Sequence, residues 1–145
     1  MIIRIAQLSD TKYIQKVNNE ELHYNYSLEK TKEKVELLLS LNWQVIYVAE
    51  IDGEFAGYIQ AQQYIGTFAD LFVNIMGLAV LSKHQGHGVG KALMVKSEQW
   101  AKEIGAVGIR LNSGAKRTEA HKFYEKIGYE KSKYQAKFQK IFTEV

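Results

Sequence analysis

One stretch limits what this chain can become more than any other: an apolar strand pattern that runs into closely spaced glycines and then into an amphipathic helix. Val80-Leu81 leads through Ser82-Lys83-His84-Gln85 to Gly86, Gly88 and Gly90, and Lys91-Ala92-Leu93 opens the helical repeat. Glycines without side chains can take positive φ, so successive N–H groups can turn toward one point. The helix that follows adds unpaired N–H donors and the positive end of its dipole. The residues describe a strand, an anion-binding loop and a helix, and a phosphate suits the point where they meet. Two phosphate motifs are excluded by spacing. A Walker loop needs four residues between its glycines and a hydroxyl after the lysine, whereas three residues separate Gly86 from Gly90 and Ala92 follows Lys91. The dinucleotide fingerprint G-x-G-x-x-G fails as well, because these glycines are spaced G-x-G-x-G and lie past mid-chain.

A length of 145 residues supports one domain with a real core, so a single domain over residues 1–145 is expected. Hydrophobic residues make up 46% and charged residues 24%, a globular balance. No apolar run approaches the roughly 20 residues that span a bilayer, and Met1-Ile2-Ile3-Arg4-Ile5 has no signal-peptide pattern, so a soluble, cytoplasmic protein without a membrane partner is expected. The absence of cysteine excludes disulfides, thiolate metal sites and a cysteine nucleophile. The net charge of +3 is dispersed among 16 acidic residues, which argues against nucleic acid as partner and suits a polyanionic cofactor.

In chain order, Ile3 and Ile5 alternate as a first strand, and Ser9-Asp10 offer an N-cap to a helix through Ile14 and Val17. Ser27 caps a second helix with Leu28, Thr31, Val35, Leu38 and Leu39 at helical spacing. Trp43 to Ile51 and Phe55 to Tyr64 read as strands of a hairpin turned at Asp52-Gly53. Gly66 to Asp70 reads as a loop, and Leu71 to Leu81 as the fourth strand. The helix from Val89 to about Ile104 places Val89, Ala92, Leu93, Trp100, Ala101 and Ile104 on its apolar arc. Val107 to Leu111 is a short buried strand. A last helix carries Ala120, Phe123, Tyr124 and Ile127 and closes at Gly128. Tyr129 to Phe142 alternates like an edge strand or hairpin.

Gln85-x-x-Gly88-x-Gly90 resembles the Q/R-x-x-G-x-G/A signature of the GNAT (GCN5-related) N-acetyltransferases. Ala120-x-x-Phe123-Tyr124-x-x-x-Gly128-Tyr129 resembles that family's A-x-x-F-Y-x-x-x-G-F/Y motif, and the order of elements is also similar over nearly the whole chain. The resemblance implies an α/β fold of the α+β type, a mixed and mostly antiparallel sheet of six to seven strands flanked by about four helices. It also implies acetyl-CoA as cosubstrate, transfer of an acetyl group to a primary amine of a small molecule or peptide within a ternary complex, and no metal. Dimerisation, common in the family, is a further expectation.

Transfer from a thioester to an amine needs an unprotonated amine, a polarised carbonyl and a proton for the leaving thiolate. A lysine-like amine, with a pKa of about 10.4, is less than about 0.1% neutral at pH 7, so a base or a desolvating pocket must assist. By resemblance, the backbone of Leu78, Ala79 and Val80 holds pantetheine between parted fourth and fifth strands, and Gln85, Gly86, His87, Gly88, Val89, Gly90 and Lys91 take the pyrophosphate. Tyr124 is the implied general acid at the sulfur, and Asn112 a side-chain contact to the cofactor. Read as residues only, Tyr124 is also an ordinary core aromatic and Asn112 an ordinary turn residue. Two departures stand out: Asn74 occupies the position of the family's usual glutamate base, and Arg117 that of an asparagine that touches the cofactor. Asp70, Glu20, Glu21 and His23 are the remaining base candidates. His84 and His87 lack a third ligand at metal spacing. A non-catalytic acyl-CoA-binding module on the same fold is the alternative reading.

Overall fold

Ile3 and Ile5, alternating around Arg4, form β1 (Ile2–Ile5), an edge strand antiparallel to β2 (Gln44–Ile51). The computed structural model describes residues 1–143 and separates into two compact units, Met1–Leu111 and Asn112–Val145. In the first, α1 (Thr11–Glu21) and α2 (Leu28–Leu39) follow β1. Strands β2 and β3 (Glu54–Gly66) then form a hairpin, and β4 (Ala69–Val80), α3 (Val89–Glu103) and β5 (Gly108–Leu111) complete the unit. The sheet order is β1-β2-β3-β4-β5, antiparallel except for the parallel pair β4–β5. Asp52 and Gly53 turn the β2–β3 hairpin with φ of 51° and 78°, the primed geometry that a two-residue turn needs. Ser27 caps α2 as its sequence indicates, its Oγ accepting from Lys30 N–H at 3.1 Å.

Strand alternation divides the core. Ile46, Val48, Tyr58 and Ala79 share one face and pack with Ile14 and Val17 of α1 and Val35 of α2. Ile59, Val73 and Ile75 point to the opposite face, where α3 buries Val89, Leu93, Met94, Ser97 and Ala101. The buried arc of α3 is thus turned by about one residue from the expected one: Met94 and Ser97 are inside, while Ala92, Trp100 and Ile104 lie at its margin. Lys96 places its Nζ 5.5 Å from the Tyr47 ring centre.

Asp10 stands at the N-cap position of α1, yet its carboxylate makes no cap bond there. It accepts from both ends of the Arg4 guanidinium at 2.8 Å and from Gln7 N–H at 2.7 Å. Burial alone would raise its pKa, but the Arg4 and Gln7 hydrogen bonds and the Arg4 charge outweigh burial and hold it below the ordinary carboxylate value. A depressed pKa contributes stability above the unfolded value near about 4, and that stability is lost as pH falls through the folded value. Asp10→Asn should therefore cost about 2–3 kcal/mol in urea denaturation at pH 7, with the gap to wild type closing below about pH 4.

Three expectations are corrected. Residues 66–70 are not a loop: Gly66 pairs with Ala69, and Thr67-Phe68 alone turn the β3–β4 hairpin. Among the described residues the sheet has five strands rather than six or seven. Residues 129–143 form no strand among the described residues, and Tyr134 and Phe138 are exposed. Alternation marks which side chains can share a face, but a strand also requires a ladder partner. In the second unit α4 (Thr118–Lys126) stands alone as regular structure among the described residues.

Candidate active site

The site in the first unit is built where β4 and β5 part. The two strands pair from Phe72↔Gly108 to Ile75↔Leu111 and no further, while β4 continues five residues to Val80. A bulge falls at the same place: Ile75 opposes Ala61 and Gly77 opposes Gln60, which leaves Met76 as the extra residue. Beyond it, Leu81 N–H donates to Ala56 O of β3 at 2.8 Å. Backbone groups alternate in direction along a strand, so the N–H and C=O of Leu78 and Val80 face away from β3, into the gap left by β5, while those of Ala79 face β3. This open edge has the form that an extended, amide-bearing ligand can join as an added strand.

Val80 runs through Leu81 into a single 3-10 turn, Ser82–His84, and then into the glycines. Gly86 and Gly88 have φ of 80° and 81°, and Gly88 is the left-handed N-cap of α3. Gly90 differs from the expectation of positive φ, since it lies within the first turn of α3. The first amide paired back into the helix is that of Ala92, which donates to Gly88 O at 3.0 Å. Helix geometry leaves the N–H groups of Val89, Gly90 and Lys91 without intrahelical acceptors. Left-handed glycines, a helix N-terminus and the Lys91 ammonium together suit a phosphate. Gln85 is directed elsewhere, its Nε2 donating to Val80 O at 3.0 Å and to Glu21 Oε2 at 3.1 Å. It ties the loop to the end of β4 and to α1. His84 packs near Glu54, with Nε2 3.9 Å from Oε2, and Lys83 donates to the same oxygen at 2.9 Å.

In the second unit, Asn112 opens the turn that leads to α4, and Arg117 is the N-cap residue of that helix without a side-chain cap bond. His121 Nε2 lies 2.9 Å from Gly114 O. Tyr124 sits on α4 with Phe123 and Tyr129 edge-on to it, ring centres 5.1 and 6.2 Å away. Burial raises its pKa above the ordinary tyrosine value, against the opposing charge of Arg117. The phenol is therefore protonated at neutral pH.

The acetyltransferase (GNAT) family model matches residues 11–129. The chain belongs to that family. An N-alpha-acetyltransferase of Sulfurisphaera tokodaii is 30% identical over 144 residues, covering 90% of this chain and 81% of that protein. An uncharacterized N-acetyltransferase of Methanocaldococcus jannaschii is 29% identical, covering 95% and 83%. An aminoglycoside N-acetyltransferase solved in complex with CoA superposes with a TM-score of 0.85 at 18% identity, covering 96% of this chain and 93% of that one, a likeness of fold.

Within this GNAT chain, Asn74 is not idle. Its Oδ1 accepts from Arg110 Nη1 at 2.5 Å and its Nδ2 lies 3.2 Å from Met76 Sδ. The Arg110 guanidinium carbon lies 4.3 Å from the Tyr64 ring centre. Asn74 and Arg110 are paired residues of β4 and β5, one step before the strands part. Sequence reading singled out Asn74 but missed Arg110. The signal was present: Arg110 is the one charge in the apolar run Val107 to Leu111, and a charge in a sheet strand needs partners. Of the base candidates, Glu21 is engaged with Gln85, and Glu20, His23 and Asp70 are exposed. Among the described residues, no group of three or more His, Cys, Asp or Glu side chains is placed to hold a metal, and no helix is long and apolar enough to cross a membrane.

Proposed function

We propose that the chain is an acetyl-CoA-dependent N-acetyltransferase that acts on a primary amine of a small molecule or peptide, with residues 1–145 acting as one domain. The observation that carries this reading is the parting of β4 from β5 directly ahead of the glycine turn. Pantetheine amides pair with the outward groups of Leu78 and with the outward N–H of Val80, whose C=O is held by Gln85 Nε2, while Ala79 stays bonded to β3. The N–H groups from Gly86 through His87, Gly88, Val89 and Gly90 to Lys91 receive the pyrophosphate, and Gln85 fixes the loop that presents them. Asn112 adds a side-chain contact to coenzyme A.

The amine nitrogen attacks the thioester carbonyl carbon, the new C–N bond forms as the C–S bond breaks, and the thiolate takes a proton from the Tyr124 hydroxyl. The surplus proton on the amine passes to water, from which Tyr124 is reprotonated. A β4 amide near Leu78 faces the developing oxyanion. Asn74 stands where a glutamate base would and cannot accept a proton. The cationic Arg110 beside it disfavours an ammonium and so favours the reactive, neutral amine.

Release of free thiol from acetyl-CoA, followed across a panel of amines, tests this reading. Turnover that depends on the amine, with acetylated amine formed in equal amount, is the expected result. Tight acetyl-CoA binding without turnover on any amine would instead support a binding module on the same fold.

A further inference from the structure

One place on β4 is left unfilled beside the gap. Gly77 follows the bulge at Met76, opposes Gln60 and precedes Leu78. Its missing side chain would point to the face of the sheet that carries α1 and α2, because Ala79, two residues on, packs with those helices. A Cβ built at Gly77 meets one atom within 4 Å besides its chain neighbours, the Tyr58 hydroxyl oxygen of β3 at 3.3 Å. Tyr58 opposes Ala79, and its ring is buried against α1 and α2. Packing there asks only for the ring. The hydroxyl donates its one proton to Asn18 Oδ1 of α1 at 2.5 Å, and among the described residues no donor is directed back at its oxygen. A phenol oxygen that donates once can still accept. Burial pushes the Tyr58 pKa up to about 12 against the opposing Asn18 bond, so the phenol is neutral and can direct an N–H without taking its proton. Asn18 is itself held in place, since its backbone oxygen accepts from Leu22 N–H at 3.1 Å and from Tyr24 N–H at 3.3 Å. A nitrogen standing a few tenths of an ångström nearer to the Tyr58 oxygen than the Gly77 Cβ position would donate to it at an ordinary distance of about 3 Å.

We infer that the Tyr58 hydroxyl oxygen accepts a hydrogen bond from the attacking amine and holds its nitrogen over Gly77, and that the missing side chain of Gly77 keeps this place clear. The inference rests on the N-acetyltransferase reading above and adds a catalytic residue to that site. In that reaction a β4 amide near Leu78 meets the thioester oxygen, and the place over Gly77 lies one residue away on the helix-bearing face. One N–H of the amine donates to Tyr58, which turns the nitrogen lone pair toward the carbonyl carbon. The Tyr58 hydrogen donates onward to Asn18, and each bond of this chain strengthens the other. Asn18 is a positioning residue, which acts through Tyr58.

The test compares two variants of the full chain that break the same bond. Tyr58→Phe removes the hydroxyl, whereas Asn18→Ala removes its partner and keeps the hydroxyl. Thiol release from acetyl-CoA is measured with tetra-alanine, propylamine, spermidine and 2-aminoethylphosphonate, and the amine that wild type uses best is carried through the variants. Tyr58→Phe should lower kcat/KM for that amine about tenfold or more and Asn18→Ala only about threefold, with acetyl-CoA affinity by calorimetry within about twofold of wild type in both. A bond that serves structure alone predicts equal losses. Gly77→Ala breaks no bond and asks for no left-handed backbone, and its Cβ stands at the amine's place, 3.3 Å from the phenol oxygen. It should raise the KM for the amine about tenfold or more with acetyl-CoA affinity retained. Equal losses in Tyr58→Phe and Asn18→Ala, wild-type kinetics in Tyr58→Phe, or an unchanged amine KM in Gly77→Ala overturns the inference while leaving the acetyltransferase reading in place. If the first two variants fail to fold, Gly77→Ala decides. Acetyl-CoA binding by wild type with no turnover on any amine overturns both.

Discussion

Tyr124→Phe is expected to lower kcat for acetyl transfer by about 10² or more while leaving the affinity for acetyl-CoA within about threefold of wild type. The substitution removes one hydroxyl and keeps the ring, so the edge-on packing with Phe123 and Tyr129 persists and α4 keeps its apolar face. What is lost is the proton for the leaving thiolate. Burial keeps this phenol protonated past its ordinary range, which is what a general acid at neutral pH requires. Rate measurements at saturating acetyl-CoA, paired with calorimetric affinity, separate the two effects. If Tyr124 serves only as a packing residue, the phenylalanine variant will turn over at close to the wild-type rate.

A second large effect is expected at the left-handed N-cap. Gly88 has φ of 81°, and a Cβ built there meets nothing within 4 Å, so a side chain is opposed by backbone strain and not by a clash. Gly88→Val should cost about 1–2 kcal/mol of stability, or relax the turn and re-aim the N–H groups behind it. Either outcome should raise the KM for acetyl-CoA about tenfold or more. Gly105, just beyond the other end of α3, has φ of 82° and is equally open. Gly105→Val therefore carries comparable strain away from the glycine turn and should destabilise without a matching change in KM. Thermal denaturation with steady-state kinetics on both variants distinguishes lost cofactor contact from general weakening.

Much of this architecture is legible in the sequence because it rests on local chemistry. Ser27 three residues ahead of Lys30, Asp52-Gly53 between apolar alternations, and the glycines ahead of a helical repeat each have few structural solutions, and each is realised. What the sequence hides is long-range pairing. Asp10 reads as a helix cap, but Arg4, six residues earlier on β1, claims it. Arg110 and Asn74 lie 36 residues apart and meet only because β5 pairs in parallel with β4. Residues 129–143 show a strand's alternation, yet among the described residues they form no strand. The bulge at Met76 has no local signature either, and it coincides with the point where β4 and β5 part.

The most direct test of the account is a calorimetric titration of the wild-type chain with acetyl-CoA alone. One acetyl-CoA per chain is expected to bind with a micromolar dissociation constant, weakened by added salt because phosphate charge is neutralised at the glycine turn. No detectable binding at millimolar acetyl-CoA would contradict the assignment of the open β4 edge and the glycine turn to this cofactor, and the proposed function with it.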